Sequence, residues 1–389
     1  MRYGLNRESK QNNLYIYIFI LWYSAEIIYN STVRNIGGVS FAKISDVITW
    51  IVFVFLMFKI IFLQTYTKKQ IACIVFITIP VIIATVLSGQ RTMMSVWMFV
   101  VASKDIDIEK VICTAYKVLL IMLPMIIMLC LGGVIENKTL FRADIQRYSL
   151  GFSHPNQLGL RVYQLVACHC YIHQNKLKKI NYIYIFLSVL FLIIIPNSQT
   201  AYITTAFFLI ILIPYKYMQD QKALFIKIYE SVIFWGAVCL NLFSIVFSYI
   251  DVNRNFILSK IDSWLSARFA VCHKVWLLYG VSFWGQKIYV TEDERKLIGI
   301  KNRLWLDNSY VSILLRYGIF VFLIFSIGYL CLIRTALLQK EYMLAIILFL
   351  YALYGVMENG LYMITHNIFL IAFSELLYRK PARNNRLLE

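Results

Sequence analysis

Residues 309–333 read SYVSILLRYGIFVFLIFSIGYLCLI, a nearly uninterrupted apolar stretch whose one charged side chain is Arg316. A helix of roughly 20 apolar residues is long enough to cross the ~30 Å hydrocarbon core of a bilayer. Only helices and closed barrels satisfy their backbone polar groups there, and barrel strands alternate in polarity. Because this run is continuous, it predicts a membrane-spanning helix.

The rest of the chain repeats this pattern. Of its 389 residues, 60% are hydrophobic and 15% are charged, and the mean hydropathy is +0.68. Soluble domains are closer to half apolar and a quarter charged. We therefore predict an all-α, polytopic bundle of about 12 transmembrane helices that forms a single membrane domain over residues 1–389. The apolar runs lie near residues 14–30, 45–63, 71–87, 92–103, 111–132, 157–172, 180–196, 200–217, 229–249, 309–333, 343–357 and 367–378.

The placement of the basic residues predicts the topology. The formal net charge is +18, and Lys and Arg gather in alternate short connections and in the C-terminal tail. The positive-inside rule then puts both termini in the cytoplasm. On this topology residues 251–308 form a large external loop and residues 133–156 a second, shorter one.

Polar residues stand where predicted helices begin at the external face. Helix N-termini carry the positive end of the helix dipole, so several of them at one face would favour an anion. Ordinary helix capping is the alternative explanation for each one, and Asp307 is the likeliest cap of the helix that begins near Ser309. These sequences are Gln90-Arg91, Ser153-His154-Pro155-Asn156-Gln157, Ser198-Gln199-Thr200, Asp307-Asn308-Ser309-Tyr310 and His366-Asn367.

Two arginines lie deeper in these helices. Arg161 and Arg316 are placed roughly 8–11 Å below the external helix ends by a rise of 1.5 Å per residue. A charge at that depth is costly unless it faces a polar cavity or an anion, although snorkelling to the headgroups would also relieve it. The pair predicts an outward-opening cavity for a negatively charged ligand.

The large loop contains another candidate anion contact. Residues 257–279 are predicted as one amphipathic helix with Arg268 at the centre of its apolar stripe. An arginine there either reaches into the bundle to meet an anion or lies on the membrane against lipid phosphates. Its planar donors suit phosphate. His273 on the same helix is a candidate general base. Tryptophans of this loop could stack on sugars or anchor at the interface, and they are Trp264, Trp276, Trp284 and Trp305.

The sequence implies no cofactor. No Asp-x-Asp metal pair stands among the external carboxylates, and no Walker-type loop is present. We therefore expect neither a metal nor a nucleotide, and the +18 charge is assigned to topology rather than to nucleic acid.

The segment RYSLGFSHPNQLG at residues 147–159 resembles the G-F-x-H-P-N-x-x-G pattern of Wzy-type capsule and exopolysaccharide polymerases, in the superfamily that includes O-antigen ligase. Two departures are Ala267, where the family often has Gly, and Gln199, where it often has Arg. Further similar stretches are Lys104-Asp-Ile-Asp107, Ser198-Gln-Thr200, Ser266-Ala-Arg268, Trp284-Gly285, Asp307-Asn308-Ser309-Tyr310 and Tyr317-Gly318.

The resemblance implies a GT-C-like glycosyltransferase without metal or nucleotide sugar. Such a polymerase moves a growing glycan from undecaprenyl diphosphate onto a lipid-linked repeat unit, within the membrane and beside a flippase and a chain-length regulator. A ligase with another acceptor and a flippase for lipid-linked oligosaccharides are the alternatives. We assign Arg268 and His273 as catalytic, with His154 and Asp307 as the other candidate bases. The predicted substrate contacts are Arg91, His154, Asn156, Arg161, Asp307, Asn308 and Arg316.

Overall fold

The protein is a bundle of helices. The computed structural model describes residues 2–36, 39–142, 144–217, 223–288 and 306–378. A π-helical turn at Lys59–Leu63 continues α2. The helices are α1 Arg2–Tyr29, α2 Phe41–Phe58, α3 Lys68–Ser88, α4 Thr92–Ala102, α5 Ile108–Leu131, α6 Pro155–Ile172, α7 Lys179–Ile194, α8 Gln199–Tyr217, α9 Ala223–Tyr249, α10 Phe256–Trp264, α11 Arg268–Tyr279, α12 Ser309–Leu338, α13 Tyr342–Met357 and α14 Phe373–Tyr378.

Several helices are suited to a membrane. In the described part of the chain, five helical segments are long and apolar enough to cross one, and shorter apolar helices accompany them. Large apolar side chains cover their outward surfaces, for example Val86 and Phe76, which is expected where lipid replaces water. The prediction of a helical, multi-pass membrane protein agrees with this, while the count of 12 spans stays a prediction. The five segments are Lys43–Leu63, Lys68–Ser88, Ile108–Leu131, Leu224–Tyr249 and Ser309–Leu338.

Two short antiparallel hairpins supplement the helices. β1 (Asn35–Ile36) pairs with β2 (Val39–Ser40) after α1, and β3 (Thr139–Arg142) pairs with β4 (Ile145–Tyr148) between α5 and α6. The all-α prediction omitted both, because strands of two to four residues leave no readable alternation. The second hairpin lies within the predicted loop 133–156.

Helix α6 is the centre of the bundle. Every residue from Leu158 to Cys168 is buried, and α6 packs against α5, α7, α8 and α13. A Cβ at Gly159 would lie 2.5 Å from Ser198, so the glycine allows α8 to approach closely. It begins within the stretch 153–157 that the sequence predicted, with Pro155 as its first residue and His154 as its N-cap.

Between α13 and Tyr378, where the description of the chain ends, there is no further long helix. Residues 358–367, called here the buried segment, are irregular, and Leu361, Tyr362 and Ile364 are almost fully buried. A 3-10 turn at Ile368–Ala372 and the six-residue α14 follow. The prediction that a helix begins after His366-Asn367 agrees with the apolar helical stretch Ile368–Tyr378, which is shorter than the roughly 20 residues of a typical spanning helix. That this stretch crosses the membrane stays a prediction.

Side chains of the surrounding helices donate hydrogen bonds to backbone carbonyls of the buried segment. Arg161 and Gln164 on α6 donate to the Thr365 carbonyl at 2.6 and 3.2 Å. The Tyr351 hydroxyl on α13 donates to the carbonyl of His366 at 2.9 Å. Irregular backbone is tolerated at membrane depth where such partners exist.

Candidate functional site

Arg268 is the centre of a group of polar side chains between helix ends. Its Nη2 donates to Oε1 of Glu358 at 2.8 Å, and its Nη1 lies 3.9 Å from Oδ2 of Asp307. The side chains of Arg268 and Glu358 are only 11% and 16% exposed, whereas that of Asp307 is 36% exposed. Arg268 therefore points into the bundle, as one sequence alternative predicted, and the anion that it meets is a carboxylate of the protein.

Asn156 and Arg147 extend this group. Nδ2 of Asn156 donates to the same Oε1 of Glu358 at 2.6 Å, and Arg147 donates to Oδ1 of Asn156. Arg147 is buried and also donates from Nε to the carbonyl of Pro196 at 2.9 Å. We call Arg147, Asn156, Arg268, Asp307 and Glu358 the polar network. Its members come from β4, α6, α11, the start of α12 and the end of α13.

Arg268 is brought to the network by a break in the loop helix. Residues 257–279 were predicted as one helix, but α10 ends at Trp264 and α11 begins at Arg268. Asp262 bridges the break, because its carboxylate accepts from the amides of Phe269 at 2.8 Å and Ala270 at 3.1 Å. The single-helix prediction was wrong, since neither Gly nor Pro marks the break. Consequently the predicted apolar stripe is also divided, and Ile257 and Trp264 are exposed.

Two residues in the break have strained backbone. Ser266 and Ala267 have φ values of 63° and 57°, in the left-handed region that side chains other than glycine adopt at a cost. Glycine adopts this region without that cost, so Ala267 strains the backbone more than a glycine would. Gln199 holds the break in place by donating to the carbonyl of Trp264 at 2.9 Å.

Asn308, not Asp307, caps α12. Its Oδ1 accepts from the amides of Tyr310 and Val311 at 3.0 and 3.1 Å, and its Nδ2 donates to the carbonyl of Val356. The sequence favoured Asp307 as the cap, and that was wrong by one residue. Either side chain can cap a helix, and helix starts are read from sequence only to within a residue or two.

Asp307 is therefore free to face the network. Burial, followed by the nearby Glu358 carboxylate, raises its pKa to about 6, against the opposing influence of Arg268 and Arg316. A carboxylate with this pKa is ionised at neutral pH and is a stronger base than an ordinary aspartate.

His154 does not fit the role of the base, because its acceptor nitrogen Nδ1 already accepts a hydrogen bond from the amide of Asn156 at 3.0 Å. Burial, followed by the charge of Arg147, lowers the pKa of His154, so the ring is neutral at pH 7 and its proton is on Nε2. It can donate a hydrogen bond to a ligand, which agrees with a binding role.

His273, the base ranked first from sequence, lies on α11 outside the polar network. It is half-buried, and its Nδ1 is buried without a partner among the described residues. Its assignment as a catalytic base stays a prediction.

The other predicted arginines have separate surroundings. Arg161 is fully buried beside the Tyr23 ring, away from lipid, and its described bonds go to Gln164 and Thr365. Arg316 is half-buried and has an electrostatic influence on Asp307. Arg91 pairs with Asp46 at 2.5 Å, next to an apolar groove between α2, α3 and α4 with a volume of about 610 Å³. Their roles as substrate contacts stay predictions.

Four arginines act on this region electrostatically. Burial lowers the pKa of Arg142, and Arg268 lowers it further. Burial and the charge of Arg142 lower the pKa of Arg147 to about 10, so it remains protonated at neutral pH. With Arg316, these cations exceed the two carboxylates of the network in number. The region can therefore attract a ligand that carries more than one negative charge.

Two glycine motifs quoted from the sequence meet in space. Gly285 and Gly318 have φ values of 100° and 83°, and a Cβ on Gly318 would lie 2.4 Å from the amide nitrogen of Gly285. The loop fills the kink in α12, because the amide of Gln286 donates to the carbonyl of Arg316 at 2.9 Å and that of Ile319 donates to Ser282 at 3.0 Å. The pairing ties the loop that contains Trp284 to the helix that contains Arg316.

The sequence analysis gave no role to two network residues, Arg147 and Glu358, or to Asp262 at the break before α11. Arg147 was quoted only within a motif, and Asp262 and Glu358 were counted only among the external carboxylates. The available signal for Glu358 was its position as a lone carboxylate directly after an apolar run. Trp305 and the basic tail, Arg379 to Arg386, lie outside the described residues.

Comparisons with known proteins add no family. No protein-family model, no curated protein and no solved structure matches this chain.

Proposed function

We propose that this protein is a polysaccharide polymerase of GT-C-like architecture with about 12 spans. It transfers a growing glycan from undecaprenyl diphosphate onto a lipid-linked repeat unit at the outer face of a bacterial plasma membrane. The observation that carries the proposal is the buried Arg268, held among carboxylates and further arginines where α6, α11 and α12 begin. The sequence resemblance supports the same reaction.

The leaving group of this transfer is a diphosphate. As the bond between the sugar and the diphosphate breaks, negative charge develops on the departing oxygen. Guanidinium groups of Arg268 and Arg147 can stabilise that charge, and Arg316 adds to the positive potential. His154 can add a neutral donor from Nε2. These groups are already fixed by their neighbours, so little reorganisation is needed during the reaction.

The acceptor hydroxyl must lose a proton as it attacks. Asp307 is the favoured base, because it is partly exposed, ionised at neutral pH and only weakly engaged by Arg268. His273 is the second candidate. The rate contribution of a positioned base is typically about 10²–10⁴-fold.

The alternative of a ligase uses the same groups with a different acceptor. The flippase alternative is less well supported, because four of the five network residues lie at helix ends and the fifth, Arg147, lies in the hairpin beside them. Transporters commonly bind their substrates near the midplane, between repeats.

The test is complementation of a deletion strain. Arg268→Ala should abolish polymer and leave single repeat units on the carrier lipid, and Arg268→Lys should restore little, because an ammonium lacks the planar pair of donors. Arg254→Ala is the matched control, since Arg254 lies in the same loop and its side chain is 86% exposed. Normal polymer from Arg268→Ala, at equal protein level, would refute the proposal. Long carrier-linked chains that are never passed to a final acceptor would indicate a ligase.

A further inference from the structure

One guanidinium is shared unequally by two carboxylates. Glu358 makes a short hydrogen bond to Nη2 of Arg268 at 2.8 Å and also accepts from Asn156, whereas Asp307 lies 3.9 Å from Nη1. Because Asn308 takes over the capping of α12, Asp307 has no second task there. Glu358 thus holds Arg268 by Nη2, while Nη1, the nitrogen nearer Asp307, is buried without a hydrogen-bond partner among the described residues.

We propose that Glu358 is a positioning residue, which occupies Arg268 and thereby keeps the Asp307 carboxylate free to accept the proton of the attacking sugar hydroxyl. This role rests on the proposed function, since it assigns Asp307 as the base of that transfer. Glu358 itself does not touch the reacting atoms. Its effect is exerted through Arg268 and through its own charge.

The charges around Asp307 agree with this arrangement. Arg268 faces it from α11, Arg316 from α12 and Glu358 from the end of α13, and the buried thiol of Cys272 on α11 is also near. Burial and Glu358 raise the pKa of Asp307, whereas the two arginines lower it. Without the Glu358 charge, repulsion is lost and Arg268 can turn fully to Asp307. Both changes lower the pKa of Asp307.

The proton balance of the step is simple. The acceptor O–H bond breaks and its proton goes to a carboxylate oxygen of Asp307. The acceptor oxygen forms a bond to the anomeric carbon, whose bond to the diphosphate oxygen breaks. The electron pair leaves with the diphosphate, next to Arg268. Asp307 then returns the proton to solvent through its exposed edge.

Two measurements test this role: the titration of Asp307 in the resting protein, and the pH dependence of glycan transfer. Infrared difference spectra of the purified full chain in nanodiscs, recorded against pH, identify the Asp307 carboxyl band as the one missing in Asp307→Asn. Glu358→Gln should lower the pH midpoint at which the Asp307 band titrates by about 1 pH unit or more. Glu358→Asp, which keeps the charge on a shorter side chain, should move it less. Glu136→Gln, an exposed carboxylate outside the network, is the control and should not move it.

The second measurement is the pH profile of glycan transfer with lipid-linked repeat units. In the parent chain the transfer rate should fall on the acid side of the profile as Asp307 becomes protonated, near pH 6. In Glu358→Gln this acid limb should move to lower pH together with the infrared band. The maximal rate should also be lower, because the base is weaker. A purely structural role would lower the rate without moving the limb or the band, and that result would overturn the proposal. If Glu358→Gln does not fold, the smaller shift in Glu358→Asp decides it. If Glu358→Gln shifts the Asp307 band but the parent protein transfers no glycan, the proposed function is refuted, while the effect of Glu358 on the pKa of Asp307 still stands.

Discussion

Arg268→Gln should lower the stability of the whole bundle, because it leaves Glu358 buried without its cation. The two side chains are 11% and 16% exposed, so water can compensate little for the lost pair. Removing one partner of a buried ion pair costs about 3–5 kcal/mol. At about 1.4 kcal/mol for each factor of ten, the ratio of folded to unfolded protein should fall by about two to four powers of ten.

The reasoning can be checked with a double-mutant cycle. The double variant Arg268→Gln with Glu358→Gln removes both charges, and replacing a buried pair with neutral groups is often nearly neutral. We therefore expect the double variant to be more stable than Arg268→Gln alone. Unfolding free energies in mixed SDS and dodecyl maltoside micelles provide the measurement. If Arg268→Gln is as stable as the parent, or if the two single losses simply add, the buried pair does not hold this end of the bundle together.

Three further expectations concern the loops and the topology. Ala267→Gly should stabilise the protein by about 1 kcal/mol by removing left-handed strain, and a loss of stability would contradict that backbone assignment. Gly318→Ala should lower the thermal stability more than its matched control Gly89→Ala. Both glycines have positive φ, but only Gly318 packs against the loop. Equal losses of stability would refute the packing argument. A cysteine at Arg254 should react with an impermeant thiol reagent in intact cells beyond the background of the parent chain, and protection would reverse the predicted orientation.

The parts of the fold that depend on local chemistry could be predicted. Long apolar runs indicated helices such as α3, α5 and α12, and Pro155 after His154 marked the start of α6. Each of these features depends on residues close together in the chain, where composition and capping preferences are sufficient evidence.

The rest of the site depends on contacts between distant residues. Arg268 was identified as a candidate anion contact, either within the bundle or at the membrane surface, but Glu358, its partner, lies 90 positions later. The break before Arg268 is stabilised by Asp262 and Gln199, and no local preference at Ser266 or Ala267 indicates it. Periodicity over residues 257–279 gave a continuous stripe, since the sequence pattern does not record where the backbone turns.

The buried segment also constrains how the chain is made. Its Thr365 carbonyl depends on Arg161, which is synthesised 204 residues earlier. At 5–20 residues per second, α6 exists for about 10–40 s before this acceptor is translated. During that time Arg161 is without its main partner, and residues 358–367 cannot later enter lipid alone, because their carbonyls would be unsatisfied. We therefore expect this segment to dock on α6 as it leaves the insertion machinery, a step that would also bring Glu358 to Arg268.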